Sequence, residues 1–190
     1  MEKAILVRHG ESETNVYGII STDEDRYPLT ENGVFQVQRT AAQLAELDFD
    51  GIISSPILRA YQSAQIIASA TGLSIVKDER ARESEFGPYN NSRITEIPYG
   101  TREELEMEPW ESHVRRMRSL VSDYDGSYII VSHAYPIKSL LCDFLGLGEF
   151  DCFSVEIKNA SMSAVLVKEE RVLTIGSLIL SESVKNHFRK

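Results

Sequence analysis

The chain has 190 residues, 42% of them hydrophobic and 26% charged, and carries a formal net charge of −9. That length suits one well-buried core and falls short of what two usually need, so a single domain over residues 1–190 is expected. The acidic balance, with Lys and Arg scattered along the chain, argues against nucleic acid or an anionic membrane as a partner, because both need a basic stripe.

The first element is the aliphatic run "AILV" at 4 to 7, read as a strand that runs straight into Arg8-His9-Gly10. A helix follows, capped by Thr30, with Val34, Val37, Ala41 and Leu44 at helical spacing. "GIIS" at 51 to 54 reads as the next strand, and Ser55 as the N-cap of a helix with Pro56 as its first residue and Ile57, Ala60, Ala64 and Ile67 on the apolar face. "SIV" at 74 to 76 is a third short strand, and a polar helix is expected around residues 101 to 124. "YIIV" at 128 to 131 leads into a helix with Pro136 in its first turn, Ile137, Leu140, Leu141 and Phe144 buried, and Gly146 as its stop. "MSAVLV" at 162 to 167 is the last strand, and the final ten residues, "SESVKNHFRK", fit either a short docked helix or a tail. Strands alternating with helices predict an α/β fold with a doubly wound, mostly parallel sheet covered on both faces.

The two cysteines, Cys142 and Cys152, have neither metal-ligand spacing nor the density of a disulfide framework. With no signal-peptide layout and no apolar run of membrane-spanning length, a cytoplasmic protein without membrane partners is expected. A homo-oligomer is left open by the sequence.

Three strand ends carry polar groups: Arg8-His9-Gly10, Ser54-Ser55-Pro56 and Ser132-His133-Ala134. In a parallel sheet they share one edge, where open α/β folds place their ligands. Arg59, in the first turn of the helix after Pro56, can reach the same edge. Two arginines and two histidines beside helix N-termini fit a phosphate: guanidinium groups donate in pairs to its oxygens, and free helix N–H groups add to them. Cationic neighbours keep an imidazole neutral and nucleophilic, and a second imidazole can donate to the transferring group. Glu83, after the third strand, is the candidate acid for the leaving oxygen.

The motifs "LVRHGESETN", "SSPILRAYQSA", "RESEFG" and "VSHAYPIK", in that order, resemble the histidine phosphatase superfamily, in the branch with phosphoglycerate mutases and related small phosphatases. The resemblance implies a phosphoglycerate mutase-like fold, with His9 as the nucleophile that becomes phosphohistidine and Arg8, Arg59 and His133 as its phosphate-binding partners. It also implies Asn15 as a polar pocket contact and Glu83 as the proton donor, with Glu85 the rival. The bland reading of Asn15 is a residue closing its own turn. The implied reaction has two steps and needs neither metal nor cofactor, and an activity optimum somewhat below neutral is expected of a protonated acid.

Departures from the family pattern touch substrate contacts more than the phosphoryl core. Ala134 stands where many relatives have Gly, Tyr135 is a candidate for the pocket mouth, and "IIST" replaces the usual run after the first motif, leaving Ser21 and Thr22 as candidate hydroxyl donors. His113 and His187 are read as structural, and Trp110 as packing. The expected function is a phosphatase acting on phosphomonoesters of small metabolites. The alternatives are a phosphoglycerate mutase and a non-catalytic module that binds a phosphorylated ligand.

Overall fold

Successive side chains of Lys3–Arg8 (β1) point to opposite faces of a sheet, and both faces are buried. Ile5 and Val7 join one apolar cluster with Val37, Ala41, Ala60, Ala64 and Ile67. Ala4 and Leu6 join the other with Met117, Leu120, Ile137, Leu140 and Leu141. A strand covered on both sides reads as an unbroken apolar run, which is why "AILV" shows no alternation.

The computed structural model describes residues 1–189. Besides β1 it contains Gly51–Ser54 (β2), Ile75–Lys77 (β3), Ser127–Ser132 (β4), Met162–Leu166 (β5) and Arg171–Ser177 (β6), in one sheet of order β3-β2-β4-β1-β5-β6. The first four strands are mutually parallel, while β5 runs antiparallel to β1 and β6 antiparallel to β5. The expected α/β sheet is therefore present, with an antiparallel pair at one side.

The helices are Glu13–Tyr17 (α1), Glu31–Leu44 (α2), Leu58–Thr71 (α3), Trp110–Asp123 (α4), Ala134–Phe144 (α5), Glu149–Cys152 (α6) and Glu182–Lys185 (α7). Thr30 caps α2 as expected, its hydroxyl accepting from the Gly33 N–H. The start of α3 corrects the reading of Ser55 as its cap: the N-cap is Ile57, and the Leu58 N–H is satisfied by the Glu24 carbonyl. Ser55 instead serves His133, described below. Helix α4 begins at Trp110 rather than near residue 101, because a helix running from there would hold Pro109 in its interior, where proline has no N–H to donate and clashes with the preceding turn. Of the last ten residues, α7 and the fully buried Phe188 dock against the α2 side of the core, and Lys190 lies outside the described residues.

Among the described residues no helix is long and apolar enough to cross a membrane.

Candidate active site

β1, β2 and β4 are in register, with Arg8 opposite Ser132 and Ser54 opposite Val131, so the residues just beyond their carboxyl ends share one edge. The loop after β1 is fixed by close backbone contact. A Cβ on Gly10 would lie 2.5 Å from the Gly33 carbonyl oxygen of α2, and one on Gly33 would lie 1.9 Å from that of Glu11. The Gly10 N–H donates to Ser63 Oγ at 3.1 Å, which in turn donates to the Arg59 carbonyl at 2.8 Å, tying the β1 loop to α3.

His9 is buried, and its Nδ1 is 2.7 Å from the Gly10 carbonyl. A carbonyl only accepts, so Nδ1 carries the hydrogen and Nε2 presents its lone pair. Arg59 Nε donates to that Nε2 at 3.2 Å, and Arg59 Nη2 donates to the Ser21 carbonyl at 2.9 Å. His133, wholly buried, lies beside His9 with ring centroids 5.0 Å apart. Its Nε2 is 2.9 Å from Ser55 Oγ, and its Nδ1 is 3.9 Å from Glu83 Oε2. A Ser55 hydroxyl that donates to Nε2 puts the ring hydrogen on Nδ1, the atom on the Glu83 side.

The electrostatics fit an anion. Arg8 Nη1 donates to the Ile157 carbonyl at 2.7 Å, yet Arg8 Nε and Arg59 Nη1 are buried with no hydrogen-bond partner. Neither arginine makes an ion pair among the described residues. Buried, unsatisfied guanidinium N–H groups are costly without an anion to receive them. Burial pulls Arg59 down to about 10, and holds His9 well below its ordinary value, with the Arg59 and Arg8 cations adding to the effect. His133 is lowered by the same causes, burial first and then Arg59. Both imidazoles are therefore neutral at physiological pH. The N–H groups of Ala134 and Tyr135, at the start of α5, have no intrahelical acceptor and complete the set of donors.

A cavity of about 340 Å3 opens here, and Arg8, His9, Asn15, Ser21, Arg59, Glu83, Ala134 and Tyr135 all line it. His133 stands behind them and Thr22 does not reach it. The Thr22 hydroxyl and N–H are both directed to the Asn90 side-chain oxygen, and the Ser21 hydroxyl donates to Asn91, so these two hydroxyls are already used within the protein. The Asn15 oxygen accepts from the Ser12 N–H at 3.0 Å, closing the turn at α1 while the residue still borders the cavity. Glu83 lines the cavity, whereas Glu85 is exposed and does not line it. Ala134 sits in the first turn of α5 with ordinary negative φ, so glycine is not required there.

Several cavity residues escaped the sequence reading, and three of them bear on ligand chemistry. Arg102 comes from an irregular polar stretch and stacks its guanidinium on the Tyr135 ring, 4.4 Å from its centroid. Lys138 lines the cavity without a carboxylate partner among the described residues. It lies four residues after Ala134, one turn along the same helix face, which is the signal that could have found it. Phe86 supplies an apolar wall.

The family model of the histidine phosphatase superfamily (branch 1) matches residues 4–175. The chain belongs to the histidine phosphatase superfamily. It is 37% identical to a 2,3-bisphosphoglycerate-dependent phosphoglycerate mutase of Thermoplasma acidophilum, over 98% of each chain. It is 31% identical to phosphoserine phosphatase 1 of Hydrogenobacter thermophilus, over 90% of this chain and 89% of the other. Among solved structures, a mycobacterial glucosyl-3-phosphoglycerate phosphatase shares the fold with TM-score 0.80 at 22% identity, covering 93% of this chain and all (100%) of that one. The superfamily contains both phosphatases and mutases, so membership fixes the phosphoryl chemistry more closely than its final acceptor.

Proposed function

We propose that the protein is a phosphatase that hydrolyses phosphomonoesters of small carboxylic acids through a phosphohistidine on His9. The observation that carries this reading is the His9 tautomer: Nδ1–H is committed to the Gly10 carbonyl, leaving Nε2 as a neutral nucleophile beside two arginines that each keep a buried, unpaired N–H group.

In the first step Nε2 attacks phosphorus and the bond to the leaving oxygen breaks, while Glu83 gives that oxygen a proton. Arg8, Arg59, His133 and the α5 N–H groups receive the charge on the phosphoryl oxygens. In the second step the Glu83 carboxylate takes a proton from water, which attacks phosphorus and releases phosphate and neutral His9. The positive charge comes from the arginines, so the proposed reaction uses no metal. Activity unchanged by a chelator is the expected result.

Arg102 and Lys138 are cations at the cavity that the phosphoryl group does not need, and they support a substrate with a second anionic group. The names of the two curated relatives support a carboxylate for that group.

A phosphoglycerate mutase is the second reading, favoured by the mutase relative at 37% identity over the full length. Phosphorus NMR on phosphoserine and phosphoglycerate, with and without a bisphosphoglycerate primer, separates the two. Release of inorganic phosphate without primer is expected. Primer-dependent isomerisation of phosphoglycerate without phosphate release would establish the mutase.

A further inference from the structure

Protonating a leaving oxygen requires the Glu83 carboxyl at a fixed place, yet residues 83 to 86 form neither strand nor helix. What holds them is a largely buried ion pair below the loop. Arg116 of α4 donates from Nη1 to the carbonyls of Arg80 at 2.6 Å and Arg82 at 2.8 Å, and from Nη2 to that of Glu83 at 3.4 Å. Its other edge faces Glu108, with Nε donating to Oε1 at 2.8 Å and Nη2 to Oε2 at 3.2 Å.

Glu108 grips the other side of the loop. Its Oε2 accepts from the Glu85 N–H at 3.2 Å, and its own N–H donates to the Glu85 carbonyl at 2.9 Å. The backbone on both sides of Glu83 is thus fastened to one Arg–carboxylate pair whose side chains are only 16% and 10% exposed. Neither side chain lines the cavity. A pair placed only for stability has no need to direct four side-chain contacts to the backbone of one short segment, and a planar guanidinium with a fixed fork sets those contacts more rigidly than an ammonium.

We propose that Arg116 and Glu108 are positioning residues for the proposed proton donor Glu83, holding its carboxyl group against the pocket. This rests on the reading of Glu83 as donor. Errors of about 1 Å in such a group cost up to about a hundredfold in rate.

The test compares kcat/KM on two esters that differ in leaving group. Glycerol phosphate leaves as an alkoxide that needs a proton, and dinitrophenyl phosphate leaves as a stable phenolate that does not. Since kcat/KM reports phosphorylation of His9, the ratio of the two values reads proton donation alone, and a loss of folded protein cancels from it. Glu83→Gln sets the scale and should lower the ratio by about 10²–10⁴. Arg116→Met is expected to lower it by about tenfold or more, and Arg116→Lys and Glu108→Gln in the same direction, with the dinitrophenyl ester little affected. Equal losses on both esters, or no loss on either, would overturn the positioning role while Glu83→Gln still lowers the ratio. An unchanged ratio in Glu83→Gln would overturn the donor assignment and the positioning role with it.

Discussion

Arg59 Nε donates to His9 Nε2 across 3.2 Å, so a guanidinium stands at the nitrogen proposed to attack phosphorus. Phosphate oxygens entering the pocket must take over this donor together with the unpaired Nη1. Arg59→Met should therefore lower kcat/KM by about 10²–10³, the usual effect of removing one preorganised donor to a developing charge. Steady-state kinetics on a phosphomonoester measure it. A loss below threefold would remove Arg59 from the phosphoryl site.

The pH profile carries a second expectation. Neutral His9 is the reactive form, and burial followed by the Arg59 and Arg8 cations keeps it neutral well below its ordinary value. The acid limb of kcat/KM that belongs to His9 should then lie well under pH 6.5, with activity maintained as pH falls from 7 to 6. Arg59→Met removes one of the lowering cations, so that limb should move towards neutral pH.

Stability should fall with acid for a related reason. His9 and His133 are held well below ordinary values, and burial brings His113 down to about 4. Their folded forms resist a proton that the unfolded chain accepts near pH 6.5. The neutral forms are tolerated fully above that pH, and stability is lost as pH falls from there through the folded values, by up to about 1.4 kcal/mol per pH unit for each group. Urea midpoints measured from pH 7 to pH 4 should decline steadily. A flat series would contradict the buried, neutral state of these rings.

Gly10→Ala tests the anchoring of the His9 loop. The new Cβ would lie 2.5 Å from the Gly33 carbonyl oxygen and 2.7 Å from Val37, both parts of α2 that cannot rotate away cheaply. A cost of about 1–3 kcal/mol is expected, as for overpacking elsewhere. Activity should fall further than the loss of folded protein explains, because His9 moves with the loop. Chemical denaturation together with kcat on the folded fraction gives both numbers.

Lys138→Met tests the second anionic group. Loss of one charge-assisted contact should raise KM for phosphoserine about tenfold while leaving KM for phenyl phosphate, which carries no carboxylate, within twofold. Equal changes on both esters would assign Lys138 to the phosphoryl group instead.

The sheet and the residues at its edge were legible because each strand end couples an apolar run to a polar group whose burial has no structural use. Arg8, His9 and His133 are such groups, Arg59 follows in the first turn of α3, and the four converge at one cavity. Two things were not legible. β6 is an edge strand with partly exposed residues, so it lacks the continuous apolar run that marked the others. Arg102, Glu108 and Arg116 act across the chain through irregular segments, and nothing in local periodicity says that a polar helix arginine will hold the loop at residues 80 to 85. Ser55 shows a further limit: a serine before proline has the pattern of a helix cap, but its hydroxyl lies against a histidine 78 residues later in the chain.

The most direct measurement is the intact mass of the protein after brief incubation with phosphoserine, quenched at alkaline pH to preserve phosphohistidine, and compared with His9→Ala. The expected result is a transient phosphate adduct on the unmodified protein alone, with inorganic phosphate accumulating in solution. An adduct that persists in His9→Ala would move the nucleophile elsewhere. Ligand binding without adduct or phosphate release, across several phosphomonoesters, would contradict catalysis and leave a phosphate-binding module.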